Sequence, residues 1–339
     1  MKAVVLVGGE GTRMRPLTET TPKPLIPVVD RPGLDHVLDH LARHGVHEVV
    51  LSSPYLERTF HPFIAARHGD PAIVWTTEDR PLGTGGAIVN ALPYLGDEPF
   101  FALNGDILTD LDLTAMLAFH RERRASVTIA LHHVQDARAF GLVATDLDGR
   151  VQEFREKPED PIPGDVNAGT YLLDPAVLRG WTPDHAISIE REIFPAVIEA
   201  GHPVFGFPGD CYWMDLGTPE KYLQAHFDLL AGLMRGVDYE SPWVASTADI
   251  ETGATVGARC SIGAEARVSP GATVEDSVIH PGASVGAGAI VRATIVGPGA
   301  HVGTNSRVTG SVLGAGARVG DGLVVTDAKV PTDGEAVPY

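Results

Sequence analysis

The chain has 339 residues, 44% of them apolar, enough for two domains that each bury a core. Its 26 Lys and Arg against 44 Asp and Glu give a net charge of −18, which excludes a general nucleic-acid binder because no basic patch offsets it. Two cysteines, Cys211 and Cys260, are too few and too far apart for a disulfide framework or a zinc site. The opening MKAVVLVGG is too short for a signal peptide and no apolar run reaches membrane length, so the expectation is a soluble cytoplasmic protein with no membrane partner.

In chain order, AVVLV (3–7) reads as a buried strand and runs straight into the glycine-rich stretch VGGEGTRMRPLT (7–18). This stretch lacks the GK[ST] ending of a Walker loop and has Met14 where a dinucleotide fingerprint needs glycine. Its chemistry still suits phosphate: glycines open the backbone N–H groups, and Arg13 offers a planar fork. TPKPLIP (21–27) then presents Lys23 stiffly between two prolines, a second cation for the same anion. Leu34, Val37, Leu38 and Leu41 mark one face of a helix. Strands follow at 47–53 and 72–77, and Gly83, Gly85 and Gly86 of EDRPLGTGGAI surround a helix start at Thr84, where an N-cap and close approach to a flat base are both open readings. FFALNGD (100–106) is a strand that Asp106 closes. A helical pattern at 112–123 precedes a strand at 126–134, and further helical patterns run over 189–200 and 218–234. The alternation predicts a Rossmann-like, mostly parallel sheet with helices on both faces, its ligands bound beyond the carboxyl ends of the strands. Asp106 and the Asp215 of WMDLG (213–217) are two separated carboxylates of the kind that suit Mg2+, which keeps waters and takes its other oxygens from phosphates. FREKP (154–158) and NAGTY (167–171) offer Glu156 for sugar hydroxyls, Lys157 for a sugar phosphate, and Asn167 with Gly169 as an amide beside open backbone.

From about residue 248 helical periodicity vanishes. Val256, Ile262, Val268 and Val274 are spaced by six, and SVIHPGASVG, TIVGPGAHVG and SVLGAGARVG begin at 277, 294 and 311, seventeen residues apart. That pattern predicts a left-handed parallel β-helix, each turn one residue short of eighteen. The expected boundaries are a catalytic domain at 1–235, a linker at 236–247, the β-helix at 248–330 and a tail at 331–339. His280 and His301 lie in the coils, where an acyltransferase would place a base, and are expected to be surface residues. The solenoid's flat faces and open end predict a homo-oligomer.

GGEGTRMRPLT, PKPLIP, PLGTGG, NGD, FREKP, NAGTY and WMDLGTP, in that order, make the chain resemble the nucleoside-diphosphate-sugar pyrophosphorylases, the sugar-1-phosphate nucleotidyltransferases. VGG in place of AGG, PLGT after acidic residues, and IEREIFPAV (189–197) lean toward the mannose-1-phosphate guanylyltransferase branch. The resemblance implies that Gly8, Gly9, Gly11, Thr12 and Arg13 wrap the triphosphate and that Lys23 binds phosphate at the reacting centre. It implies Mg2+ on Asp106 and Asp215, and a sugar phosphate held by Gly141, Glu156, Lys157, Asn167 and Gly169. Glu78, with Gly83 and Thr84 of the following loop, is the candidate base-reading carboxylate, since a carboxylate accepts both guanine ring-edge donors. The implied reaction joins GTP and mannose 1-phosphate into GDP-mannose and pyrophosphate. Uridylyl or thymidylyl transfer to glucose 1-phosphate or a cyclitol phosphate stays open, as does a regulatory subunit that only binds nucleotide-sugar.

Overall fold

A computed structural model describes residues 1–53, 57–156 and 158–336. They form two compact units, one of residues 1–9 and 36–213, the other of residues 10–35 and 214–336.

The first unit is built on a nine-stranded sheet. Its parallel part runs Phe100–Asn104, Lys2–Leu6, Glu48–Ser53, Ala72–Thr77, with Val4 opposite both Ala102 and Val50. Those three residues are wholly buried, as expected for strands covered on both faces. Beyond Phe100–Asn104 the long strand Gly164–Leu173 joins antiparallel, followed by Gly141–Thr145 and Val151–Glu156, while Val127–Val134 and Val204–Pro208 extend a side branch. The helix Gly83–Leu95 packs on the strands Lys2–Leu6 and Glu48–Ser53 and buries Ile88, Ala91 and Leu95. Leu34, Val37, Leu38 and Leu41 of the helix Gly33–Arg43 are buried as their spacing predicts. Helix Leu113–Arg123 and the turns over Ile189–Glu199, with Pro219–Leu230 of the second unit, match the other helical patterns. No helix among the described residues is long and apolar enough to cross a membrane.

Two irregularities of this sheet matter for function. The pairing of Gly164–Leu173 with Val127–Val134 breaks between Asn167 and Tyr171, so Ala168, Gly169 and Thr170 bulge out of the ladder. Gly169 sits there at φ +69°, where a Cβ would lie 2.4 Å from Ile107 Cδ1. Asp106 does not close a strand as expected: the strand ends at Asn104, and Asp106 lies in a turn before Ile107–Thr109. Gly105 permits that turn, since a Cβ there would meet the Leu6 carbonyl at 2.8 Å.

The second unit contains a left-handed parallel β-helix of three narrow sheets. Its first strand, Trp243–Val244, pairs with Ser261–Ile262 and so lies within the stretch expected to be linker. Early turns advance eighteen residues (Asp249 to Arg267) and later ones seventeen (Arg267 to Ser284), in register with the repeats. The missing residue falls at a corner where Asp276, Ala293, Gly310 and Asp327 take left-handed φ. Each is followed by a residue whose side chain faces inward, and the first three of these are Ser277, Thr294 and Ser311. The Ser277 hydroxyl accepts from Thr294 N (3.1 Å), Thr294 Oγ1 from Ser311 N (3.3 Å), and Ser311 Oγ from Ala328 N (3.1 Å). This ladder gives an acceptor to amides that the shortened corner removes from regular pairing. It explains why every repeat opens on Ser or Thr.

Residues 10–35 dock on this β-helix. Thr332 N donates to Glu19 Oε2 at 3.0 Å, and a Cβ on Gly314 would touch Pro16 at 3.0 Å. The helix Pro219–Leu230 joins the same packing. The Tyr222 hydroxyl donates to the Pro27 carbonyl and sits 3.1 Å from His280 Nε2, with the rings stacked. His280 is therefore buried, contrary to expectation, because Tyr222 and the coil cover it. Burial pushes its pKa down to about 4. His301, half-exposed, pairs with Ser284 at 2.9 Å.

Candidate functional site

Each unit carries part of the predicted site. In the second unit, Gly11 adopts φ +61° and opens a single helical turn, Thr12–Met14, anchored by the buried Met14. A Cβ on Gly11 would strike Thr18 at 2.9 Å and Lys23 at 3.2 Å, so the loop folds onto the PKP segment. Thr18 Oγ1 fastens it by donating to the Gly11 carbonyl at 2.8 Å. Thr12 and Arg13 remain exposed. The Lys23 ammonium, 9% exposed, lies 3.9 Å from Asp215 Oδ1. Lys221 Nζ reaches the other oxygen of Asp215 at 3.3 Å. A Cβ on Gly217 would lie 3.0 Å from an Arg13 guanidinium nitrogen and from both Asp215 oxygens. Arg13, Lys23, Lys221 and Asp215 thus converge around Gly217. Lys221 was missed from the sequence, where it reads as an ordinary charge on a helix first turn.

In the first unit, Gly8 and Gly9 follow the strand Lys2–Leu6, and a Cβ on Gly9 would meet nothing within 4 Å. Packing within the fold does not require that glycine, which leaves its backbone open to a ligand. Gly141 and Glu156 are cross-strand partners, and Leu142 pairs with Val166, so the sugar-phosphate candidates share one antiparallel patch with the Asn167 bulge. Lys157 lies outside the described residues. Asn167 Oδ1 accepts from Gly169 N at 2.9 Å, which sets the bulge. A Cβ on Gly169 would lie 2.7 Å from Asn104 Nδ2, so this bulge and the NGD turn are neighbours. Trp213 walls the bulge: its indole donates to Ala168 O at 2.9 Å, stacks on His132 at 4.8 Å and meets Phe140 at 5.3 Å. The sequence reading passed over all three aromatics because they are scattered along the chain.

Two expectations need correction. Glu78 does not present a carboxylate to a base. It is 4% exposed, its Oε1 accepts from Ser52 Oγ (2.9 Å) and its Oε2 from Leu82 N (3.0 Å), and burial pushes its pKa up. It braces the loop leading to Gly83. The glycines of PLGTGG are also explained internally. A Cβ on Gly83 would stand 2.5 Å from the Ile187 carbonyl, and Gly85 N donates to that carbonyl at 2.8 Å. The segment around Ile187 occupies the space that a flat base was expected to use. Thr84 is no N-cap either: its hydroxyl donates to Glu190 at 2.9 Å.

Comparison with known proteins adds the following. The nucleotidyl transferase family matches residues 2–232, and the GMPPB C-terminal domain family matches residues 239–334. A mannose-1-phosphate guanylyltransferase of Mycobacterium tuberculosis is 39% identical over 84% of this chain and 80% of its own length. Mannose-1-phosphate guanylyltransferase 1 of Arabidopsis thaliana is 35% identical over 82% of this chain and 79% of its own. The crystal structure of HddC from Yersinia pseudotuberculosis complexed with GMP-PN is similar with a TM-score of 0.58 and 28% identity, covering 66% of this chain and 97% of that one.

Proposed function

Since the chain belongs to the nucleotidyl transferase family, whose members join a nucleoside triphosphate to a sugar phosphate, we propose that it makes GDP-mannose from GTP and mannose 1-phosphate. The observation that carries the reading is the convergence of Arg13, Lys23 and Lys221 on Asp215 beside an open glycine loop. That is a compact cationic site in a chain of net charge −18. Guanine and mannose rest on the relatives, because Glu78 is committed elsewhere.

An oxygen of the sugar phosphate attacks the α-phosphorus of the triphosphate, the bond to the β-phosphate oxygen breaks, and pyrophosphate leaves. The attacking phosphate is already ionised, so no protein nucleophile or base is required. Gly8, Gly9, Gly11 and Thr12 supply backbone donors to the triphosphate. Arg13 and Lys23 offset its charge, and Gly141, Glu156, Lys157, Asn167 and Gly169 hold the sugar phosphate in line. Asp106 of the first unit and Asp215 of the second each offer hard oxygen donors. Carboxylate oxygens of this kind fit Mg2+, which would neutralise triphosphate charge. We assign residues 1–235 the catalytic role and give the β-helix a part in self-association, since its terminal coils end in edge strands. We place the protein in the cytoplasm, where Cys211 and Cys260 would stay reduced.

The test is pyrophosphate release across four nucleoside triphosphates and a panel of sugar 1-phosphates. Highest kcat/KM with GTP and mannose 1-phosphate is expected, and a preference for UTP or dTTP would overturn the guanine assignment.

A further inference from the structure

Glu190 has no role in the reading above, yet it joins the Asn167–Gly169 bulge, through Tyr171, to the start of the helix Gly83–Leu95. It sits in a one-turn π-helix, Ile189–Ile193, a rare geometry that recurs at functional positions. Its Oε2 accepts from the Thr84 hydroxyl and the Ser188 hydroxyl, both at 2.9 Å. Its Oε1 accepts from the Tyr171 hydroxyl at 3.3 Å. Tyr171 is wholly buried against Phe194, which fixes the direction of its hydroxyl. That hydroxyl in turn accepts from Asn167 Nδ2 at 2.8 Å, and Asn167 Oδ1 accepts from Gly169 N. On the other side, Thr84 Oγ1 accepts from Ile189 N at 3.0 Å, and Gly85 and Gly86 both donate to Ile187 O.

We infer that Glu190 is a positioning residue that ties the Asn167–Gly169 bulge to the start of the helix Gly83–Leu95 and so aims the sugar-phosphate side of the site. The chemistry supports this. A carboxylate accepting three hydroxyl hydrogens makes charge-assisted bonds, about twice as strong as neutral ones. The path from Thr84 to Gly169 passes through one ionised group and no water. The helix start is fixed by Gly85 N and Gly86 N on the Ile187 carbonyl, whereas Ala168 and Gly169 leave the ladder with Val127–Val134, so the carboxylate carries the order of the first to the second.

The inference rests on the assignment of the Asn167–Gly169 bulge to sugar phosphate, and its test separates the two. Steady-state KM values are measured with whichever triphosphate and sugar phosphate the wild-type chain turns over best. Glu190→Ala is expected to raise the KM for sugar phosphate about tenfold, the equivalent of one lost charge-assisted hydrogen bond, and to leave the KM for triphosphate unchanged. Thr84→Val should raise the KM for sugar phosphate severalfold in the wild-type background and leave it unchanged in Glu190→Ala. Additive effects, or a Thr84→Val effect confined to the nucleotide, would overturn the coupling even if GTP and mannose 1-phosphate prove to be the substrates. Amide exchange gives a readout independent of substrate identity. In Glu190→Ala the amides of Gly85, Gly86 and Gly169 should exchange faster together, whereas acceleration confined to 188–193 would count against the lock. Should Glu190→Ala fail to fold, Glu190→Gln replaces it in both measurements. It keeps the shape but turns an amide donor toward one set of hydroxyls.

Discussion

Acidification should loosen the second unit through His280, and the size of the effect follows from its surroundings. The ring is buried against Tyr222, itself in edge contact with His226, and its Nδ1 has no hydrogen-bond partner among the described residues. Protonation would place a charge where no acceptor faces it, which is why its pKa falls from 6.5 to about 4. The sign is fixed by proton counts. Between pH 6.5 and 4 the unfolded chain holds a proton on this residue and the folded chain does not. Stability is therefore full above pH 6.5, falls as pH drops toward 4, and levels below that. A gap of that size corresponds to ~3 kcal/mol, since one pH unit is worth ~1.4 kcal/mol. His40, pushed down to about 3, and His120, down to about 4, add in the same direction, so the wild-type slope contains all three. The discriminating variant is His280→Gln, whose amide can still donate to the Tyr222 hydroxyl but does not titrate. Urea unfolding followed by far-UV circular dichroism at pH 7.5, 6, 5 and 4.5 should show the variant losing ~2–3 kcal/mol less than wild type over that range, although it starts less stable. Identical pH slopes in the two proteins would refute the burial argument. Because Tyr222 also holds the Pro27 carbonyl, activity measured at pH 7.5 should fall in Tyr222→Phe without loss of the β-helix signal.

The remaining expectations are more direct. Asp106→Asn and Asp215→Asn should each lower kcat by on the order of a hundredfold or more with an unchanged circular dichroism spectrum, and wild-type rates would remove both from the metal assignment. Glu78→Gln should turn an amide donor toward Leu82 N–H or Ser52, costing about 1–3 kcal/mol in chemical denaturation while leaving the order of preference among the four triphosphates intact. Gly83→Ala, at φ +70° and against the Ile187 carbonyl, should cost about 1–3 kcal/mol, readable as a lower unfolding midpoint. Thr294→Val strips the hydroxyl that accepts from Ser311 N inside the shortened corner, and about 1–3 kcal/mol should be lost from β-helix unfolding.

What was legible in the sequence was whatever repeats or runs locally. Buried parallel strands announce themselves as AVVL and FFAL, and the β-helix announces itself because the same inward aliphatic returns every coil. Even the Ser and Thr that open each repeat were visible, although only the coil geometry shows that they replace a missing residue's pairing. The loop proposed for phosphate stood out because its glycines and Arg13 are neighbours in the sequence. What stayed hidden depends on residues far apart. Glu78 reads as a carboxylate for a base until Ser52 and Leu82 close around it. The glycines of PLGTGG look like room for a ligand until the segment around Ile187, about a hundred residues later, fills that room. His280 reads as one more coil residue until the helix Pro219–Leu230 lays Tyr222 over it.

These hidden contacts share a consequence for how the site is organised. Substrate-facing positions in this fold are the ones that the protein itself leaves unfilled, and a glycine or a carboxylate is no guide to them until its internal partners are known. Gly9 and Gly83 illustrate the point. Both sit in glycine-rich loops after apolar segments, and both invite the same reading as open backbone. A Cβ on Gly9 would meet nothing, whereas one on Gly83 would collide with a carbonyl. On the proposed reading the first glycine is left open for a ligand, and the second is accounted for by the fold. By the same criterion Arg13, exposed beside Asp215, is the candidate for substrate contact, while Glu190, whose two oxygens are already taken by hydroxyls, is the candidate for the framework behind the Asn167–Gly169 bulge. The division predicts different kinetics. Substitutions at Arg13 should act on the chemical step and resist rescue by lysine, which lacks the planar fork, whereas substitutions at Glu190 should act on the KM for sugar phosphate.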